Sequence, residues 1–99
     1  MSEFGISEEL MDMFKKSIGD FNDCELQNEY YRTFLVTAKS DLITDDISPT
    51  ILDTPLGNAL VVLYAEALMD KTDIANNPTI SLLRNKLSLM TKGDRVTDV

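Results

Sequence analysis

From Thr54 to Asp70 the chain carries apolar side chains on almost every face of a helix, and such a segment has to be buried on nearly all sides. Thr54 is a good N-cap, and Pro55 takes the first helical position, where its missing N–H costs nothing. Leu56, Ala59, Leu60, Val61, Val62, Leu63, Tyr64, Ala67, Leu68 and Met69 follow, interrupted by a charge only at Glu66. The pattern predicts the central helix of a bundle, with Gly57 and Ala59 leaving room for another helix to approach. A chain of 99 residues buries one core of this kind, so a single helical domain over 1–99 is expected, with loose ends at 1–6 and 94–99. The longest apolar run, Ala59 to Ala65, is far shorter than the roughly 20 residues that span a bilayer.

Three other segments have helical periodicity. Ser7 predicts an N-cap, Glu8 and Glu9 favour the first turn, and Leu10, Met13, Phe14 and Ile18 form a stripe that Gly19-Asp20 ends. Asn22 or Asp23 predicts the next start, in capping-box spacing with Glu25. Leu26, Tyr30, Phe34, Ala38 and Leu42 then recur every four residues, widened by Tyr31, Leu35 and Val36. Asn77 and Pro78 predict the last start, and Ile80, Leu83, Leu87 and Met90 the last stripe, with Gly93 as its C-cap. Between the second and third long helices, Ser40 to Thr54 predicts a long polar connection, with a short helical turn around Pro49 to Leu52. The expected fold class is therefore all-α, a single small bundle of approximately four helices with a long polar connection between the second and third.

Nine basic against seventeen acidic residues give a net charge of −8, all of it in the first half. Residues 1–53 hold twelve acids and four bases, whereas residues 54–99 hold five of each. An acidic surface argues against phosphate binding and against an anionic membrane. The bland reading is a solvated, solubilising surface. The functional readings are a surface that faces DNA without holding it, or one that meets a basic partner. Arg84, Lys86 and Lys92 mark the last helix as the only candidate DNA-recognition helix, but cations at a helix C-terminus explain them equally well.

The residues offer little material for catalysis. There is no His, the commonest general base and metal ligand, and the single Cys24 builds neither a zinc site nor an intrachain disulfide. Cys24 is expected to be an inert or buried thiol in a reducing compartment. Glu8, Glu9 and Asp12 fit a capped first helical turn, and Asp70 and Asp73 fit a turn. Asp41, Asp45 and Asp46 make half of a calcium loop, without the Gly at its sharp turn or the Glu at its end. No catalytic residue, cofactor or metal is expected, and the chain is expected not to be an enzyme.

Several segments together resemble the small head–tail connector (adaptor, or DNA-packaging) proteins of tailed bacteriophages. They are Leu26–Ala38 with Tyr30-Tyr31, the helix Leu60-Val61-Val62-Leu63-Tyr64-Ala65-Glu66, and Ser81-Leu82-Leu83-Arg84-Asn85-Lys86-Leu87 after the Asn76-Asn77-Pro78 turn. The likeness covers roughly residues 7–90 and lies in helix lengths and weak motifs. Leu68-Met69-Asp70 departs from it, since a more polar helix end is expected there. The resemblance implies a virion protein of the head–tail junction, made in the bacterial host cytoplasm. It implies a homo-oligomeric ring of about a dozen subunits below the portal protein, with tail or stopper proteins beneath it. DNA would pass through the channel without specific binding, and no membrane is involved. Ring closure requires two unlike patches, and the candidates are Tyr30, Tyr31 and Leu35 on the second helix and Ile43, Ile47 and Ile51 in the connection. The alternative is a small cytosolic acidic adaptor or regulator that binds a basic protein.

Overall fold

Ser7 opens the first helix as expected: its hydroxyl accepts the Leu10 N–H at 3.1 Å, and α1 runs over Glu8–Ile18. A computed structural model describes residues 6–22 and 24–97, and among them the secondary structure is entirely helical. Four further helices follow: α2 (Glu25–Thr44), α3 (Pro49–Leu52), α4 (Pro55–Asp70) and α5 (Pro78–Thr97). No helix among the described residues is long and apolar enough to cross a membrane. The expected loose ends at 1–5 and 98–99 lie outside the described residues. Ile6, also assigned to the loose start, packs against the core.

α4 occupies the centre and packs against α1, α2, α3 and α5. Thr54 caps it by accepting the Gly57 N–H at 3.1 Å, and Pro55 stands at its start. Leu60, Val61, Val62, Tyr64, Ala65 and Ala67 are buried along its length. At its beginning a close approach does occur, by the short α3. A Cβ on Gly57 would lie 2.5 Å from Ile51 O, Leu52 Cα and Leu52 O, so the backbone of α3 rests on the bare Cα.

The connection after α2 is shorter and less polar in use than expected. α2 does not stop near Ser40 but continues to Thr44. There Asp46 turns left-handed (φ 74°), its N–H bonds Ile43 O at 3.0 Å, and the Ile47 N–H bonds Leu42 O at 3.2 Å. This is a Schellman ending, and its usual hydrophobic contact is present in kind, since Leu42 and Ile47 both belong to the core. Asp45 and Asp46, expected as linker, are thus the cap of a helix. α3 then forms at Pro49, with Ser48 Oγ accepting the Thr50 N–H at 3.3 Å, and buries Leu52. The connection is folded within the single chain.

The same ending recurs twice. Gly19 (φ 77°) closes α1, with Asp20 N–H on Lys15 O at 2.9 Å. Lys71 (φ 57°) closes α4, with Thr72 N–H on Ala67 O at 3.0 Å. Only one of the three left-handed residues is glycine, so two of the three stops lack the usual sequence marker.

Two other boundaries differ from expectation. Cys24, not Asn22, is the N-cap of α2, and it makes no side-chain capping bond. The alternative cap, Asp23, lies outside the described residues. Asn22 instead gives its N–H to Asp20 Oδ1 at 2.9 Å, within the α1–α2 turn. Gly93 does not end α5, which passes through it to Thr97, so 94–97 are helical rather than a loose tail. One interior glycine costs about 1 kcal/mol relative to Ala, too little to stop a helix by itself. At its start α5 is as expected, with Asn77 Oδ1 accepting the N–H groups of Thr79 and Ile80, each at 3.1 Å.

Candidate interaction surface

The four-residue recurrence in α2 explains which of its side chains reach the core. At about 100° per residue, a step of four overshoots a full turn by about 40°. From Leu26 to Leu42 the row therefore rotates by roughly 160°, and its two ends cannot share a face. The structure buries Tyr31, Leu35, Ala38 and Leu42 and turns the other end outward. Leu26 is 83% exposed and Tyr30 52%. Phe34, half-buried, joins them, its ring edge-to-face with Tyr30 at 5.1 Å between centroids. Leu26, Tyr30 and Phe34 thus form a ridge that climbs off the core.

A second apolar row lies on α5. Ile80, Leu87 and Thr91 face inward, while Leu82 (68% exposed), Leu89 (67%) and Met90 (40%) face outward. Lys86, also exposed, lies one turn from both Leu82 and Met90 on the same side of the helix. α2 packs on α1 and α4, and α5 on α4 and α3, so both helices that carry these rows rest on α4.

Of the six expected interface residues, one is mainly at the surface. Tyr30 contributes to the α2 ridge. Tyr31 and Leu35 are buried in the chain's own core, with Tyr31 edge-on to Phe14 at 5.3 Å between centroids. Ile47 is buried at the end of α2, and Ile43 and Ile51 are half-buried against the same core. Placing Tyr31, Leu35 and Ile47 on an outer face is therefore corrected: the single chain already covers them. Leu26, Leu82 and Leu89 take their place as exposed apolar residues. The signal for Leu26 was present in the 40° drift of its row.

The charged groups considered for chemistry engage one another. Arg84 of the last helix pairs with Asp45, and Tyr64 donates to Asp41 Oδ2 at 3.2 Å, so two members of the half calcium loop face protein partners. Among the described residues no group of three His, Cys, Asp or Glu side chains is arranged to hold a metal ion. Cys24 is exposed, not buried as one expectation had it. Lys39 is almost fully buried on α2, with its Nζ 3.2 Å from the exposed Asp53 carboxylate at the end of α3. A surface depression of about 390 Å³ lies between α5 and the end of α2, beside the Arg84–Asp45 pair.

One hydrogen-bonded pair couples the fold to pH. The Tyr31 hydroxyl donates to Asp20 and accepts from Gln27 Nε2 at 2.9 Å. The bond from Tyr31 holds the Asp20 carboxyl below its ordinary value, and the same bond raises the Tyr31 hydroxyl. Burial, followed by the nearby Asp41, raises Tyr64 as well. A carboxyl lowered in the fold adds stability above its unfolded value, and this is lost as pH falls through the folded one. A hydroxyl raised in the fold adds stability below the unfolded tyrosine value of about 10, and this is lost as pH rises through the folded one. The expected result for Tyr31→Phe is a shallower dependence of the urea midpoint on pH, both below pH ~4 and above pH ~10. The Asp20 carboxyl should titrate nearer its ordinary value by carbon-13 NMR. Tyr64 should keep part of the alkaline limb.

The site is thus a pair of exposed apolar rows on an all-helical chain. No known protein family, curated protein or solved structure matches the chain.

Proposed function

We propose that the chain is a structural subunit of a tailed-bacteriophage head–tail connector. It acts by assembling through its surfaces into a ring below the portal protein, at the junction where tail or stopper proteins dock. The observation that carries the assembly reading is the presence of two exposed apolar rows on two different helices, α2 and α5, both packed on α4. Large apolar side chains left in water beside one another mark protein–protein contact sites. Two unlike patches are what a head-to-tail ring requires of each subunit. The likeness of residues 60–66 and 81–87 to connector proteins supplies the rest of the assignment.

The acidic first half then has a physical role in the virion. A channel wall of negative charge repels phosphate, so DNA slides past without being held. The subunit is made in the host cytoplasm, needs no cofactor and performs no reaction of its own.

The test is to concentrate the protein and mix it with the portal protein of the same genome. Negative-stain microscopy and native mass spectrometry should show closed rings and a portal–ring complex. A chain that stays monomeric and binds a basic protein instead would favour the acidic adaptor. Rings with a channel lined by Lys and Arg would overturn the sliding role.

A further inference from the structure

We infer that the two apolar rows are the two halves of one contact: the Leu26–Tyr30 ridge of one copy seats against the Leu82–Leu89 row of α5 of a second copy. The inference rests on the assembly reading above and names the surfaces that make it. Each row is exposed in the isolated chain, with Leu26 at 83% and Leu89 at 67%. Their charges are complementary. With the pairs inside the chain set aside, Arg32 on Glu29 and Arg84 on Asp45, the exposed Glu25 remains beside the ridge and the exposed Lys86 and Lys92 remain on α5. Glu25 flanks Leu26 in sequence, and Lys86 lies between Leu82 and Leu89. Two copies of the ridge would bring acid against acid, and two copies of the α5 row base against base. A ridge against a row brings opposite charges together around an apolar centre, which favours the unlike pairing. Because the halves differ, each copy keeps one unused half after pairing, and growth continues until a ring closes.

The distinguishing experiment uses two single variants, Leu26→Glu and Leu89→Glu, with Tyr30→Asp and Leu82→Glu as second choices on the same rows. Circular dichroism should show a wild-type fold, since all four side chains are largely exposed. Each variant alone should raise the concentration needed for assembly by about 30-fold or more. An equimolar mixture of Leu26→Glu and Leu89→Glu should form a heterodimer of one copy of each and grow no further, because only one intact ridge and one intact row remain between them. Uniform nitrogen-15 labelling of one variant separates the two in mass, so that native mass spectrometry tells the heterodimer from either homodimer. Three results overturn the inference: a wild type that never associates, assembly lost in only one variant, or two defective variants whose mixture makes no heterodimer. Wild-type rings that fail to bind portal overturn the connector assignment while leaving this contact standing.

Discussion

Gly57→Ala lowers the stability of the chain by about 3 kcal/mol, near the upper end of what overpacking a core commonly costs. The substitution is favourable on helical propensity alone, by up to about 1 kcal/mol. The contact geometry reverses that sign. The new methyl would lie 2.5 Å from three backbone atoms of Ile51 and Leu52, and backbone cannot swing aside as a side-chain tip can. Relief requires α3 to lift from α4, which withdraws the fully buried Leu52 from the core. The measurement is a urea titration, with Gly19→Ala as comparison. Gly19 has open space around its Cα but a left-handed backbone at φ 77°, so alanine there costs only about 1–2 kcal/mol. Similar losses at the two glycines would show that α3 does not rest on Gly57.

Phe14→Ala has the largest expected effect, a loss of about 4 kcal/mol. Its ring is fully buried where α1 meets the core, and it stands edge-on to Tyr31. Domains of this size are commonly stable by about 5–15 kcal/mol, so the variant should be near the margin at room temperature and should melt well below the wild type. Met13→Ala, one residue earlier, should change stability by no more than about 0.5 kcal/mol, because Met13 is 37% exposed. Thermal unfolding of the two variants under the same conditions checks both values. The Tyr31–Asp20 bond supplies an independent readout. With Phe14 removed, Tyr31 loses one of its two ring partners, and Asp20 should titrate closer to an ordinary carboxyl.

The contrast between Phe14 and Met13 shows where the sequence was readable. Three helix starts were: Ser7, Thr54 and Asn77 each accept the backbone N–H groups their residue types suggest, whereas α2 starts after Cys24 without a side-chain cap. The polar short side chain and the proline or acidic residues after it act locally, so their meaning needs no tertiary contact. The all-helical class and the central position of α4 were readable for a related reason. A helix apolar on nearly every face has few places to go other than among its neighbours.

Helix ends and burial faces were less readable. Asp46 and Lys71 close helices in a conformation that glycine usually adopts, so nothing local announced α2 ending at Thr44. Gly93 sent the opposite signal, a glycine that ends nothing. In α1 the expected stripe held Met13 and not Met11, yet Met11 is buried and Met13 is exposed. In α2, spacing by four gave Leu26 and Leu42 equal standing, and only the accumulated rotation separates them. The expected contact residues Tyr31, Leu35 and Ile47 shared an apolar surplus with the exposed ones. Which part of that surplus the chain spends on itself is a property of the packing, and no periodicity of one helix contains it.

The ending of α2 has a mechanical consequence. Between Thr44 and Pro55 the chain makes a capped stop, one turn of α3 and a second capped start, with Ile47 and Leu52 buried and Gly57 under the α3 backbone. Lys39 on α2 reaches Asp53 across the same corner. The connection therefore has no slack to take up. A pull along α2 reaches α4 through side chains in contact as well as through the chain, and the two helices tilt together like the arms of a rigid bracket.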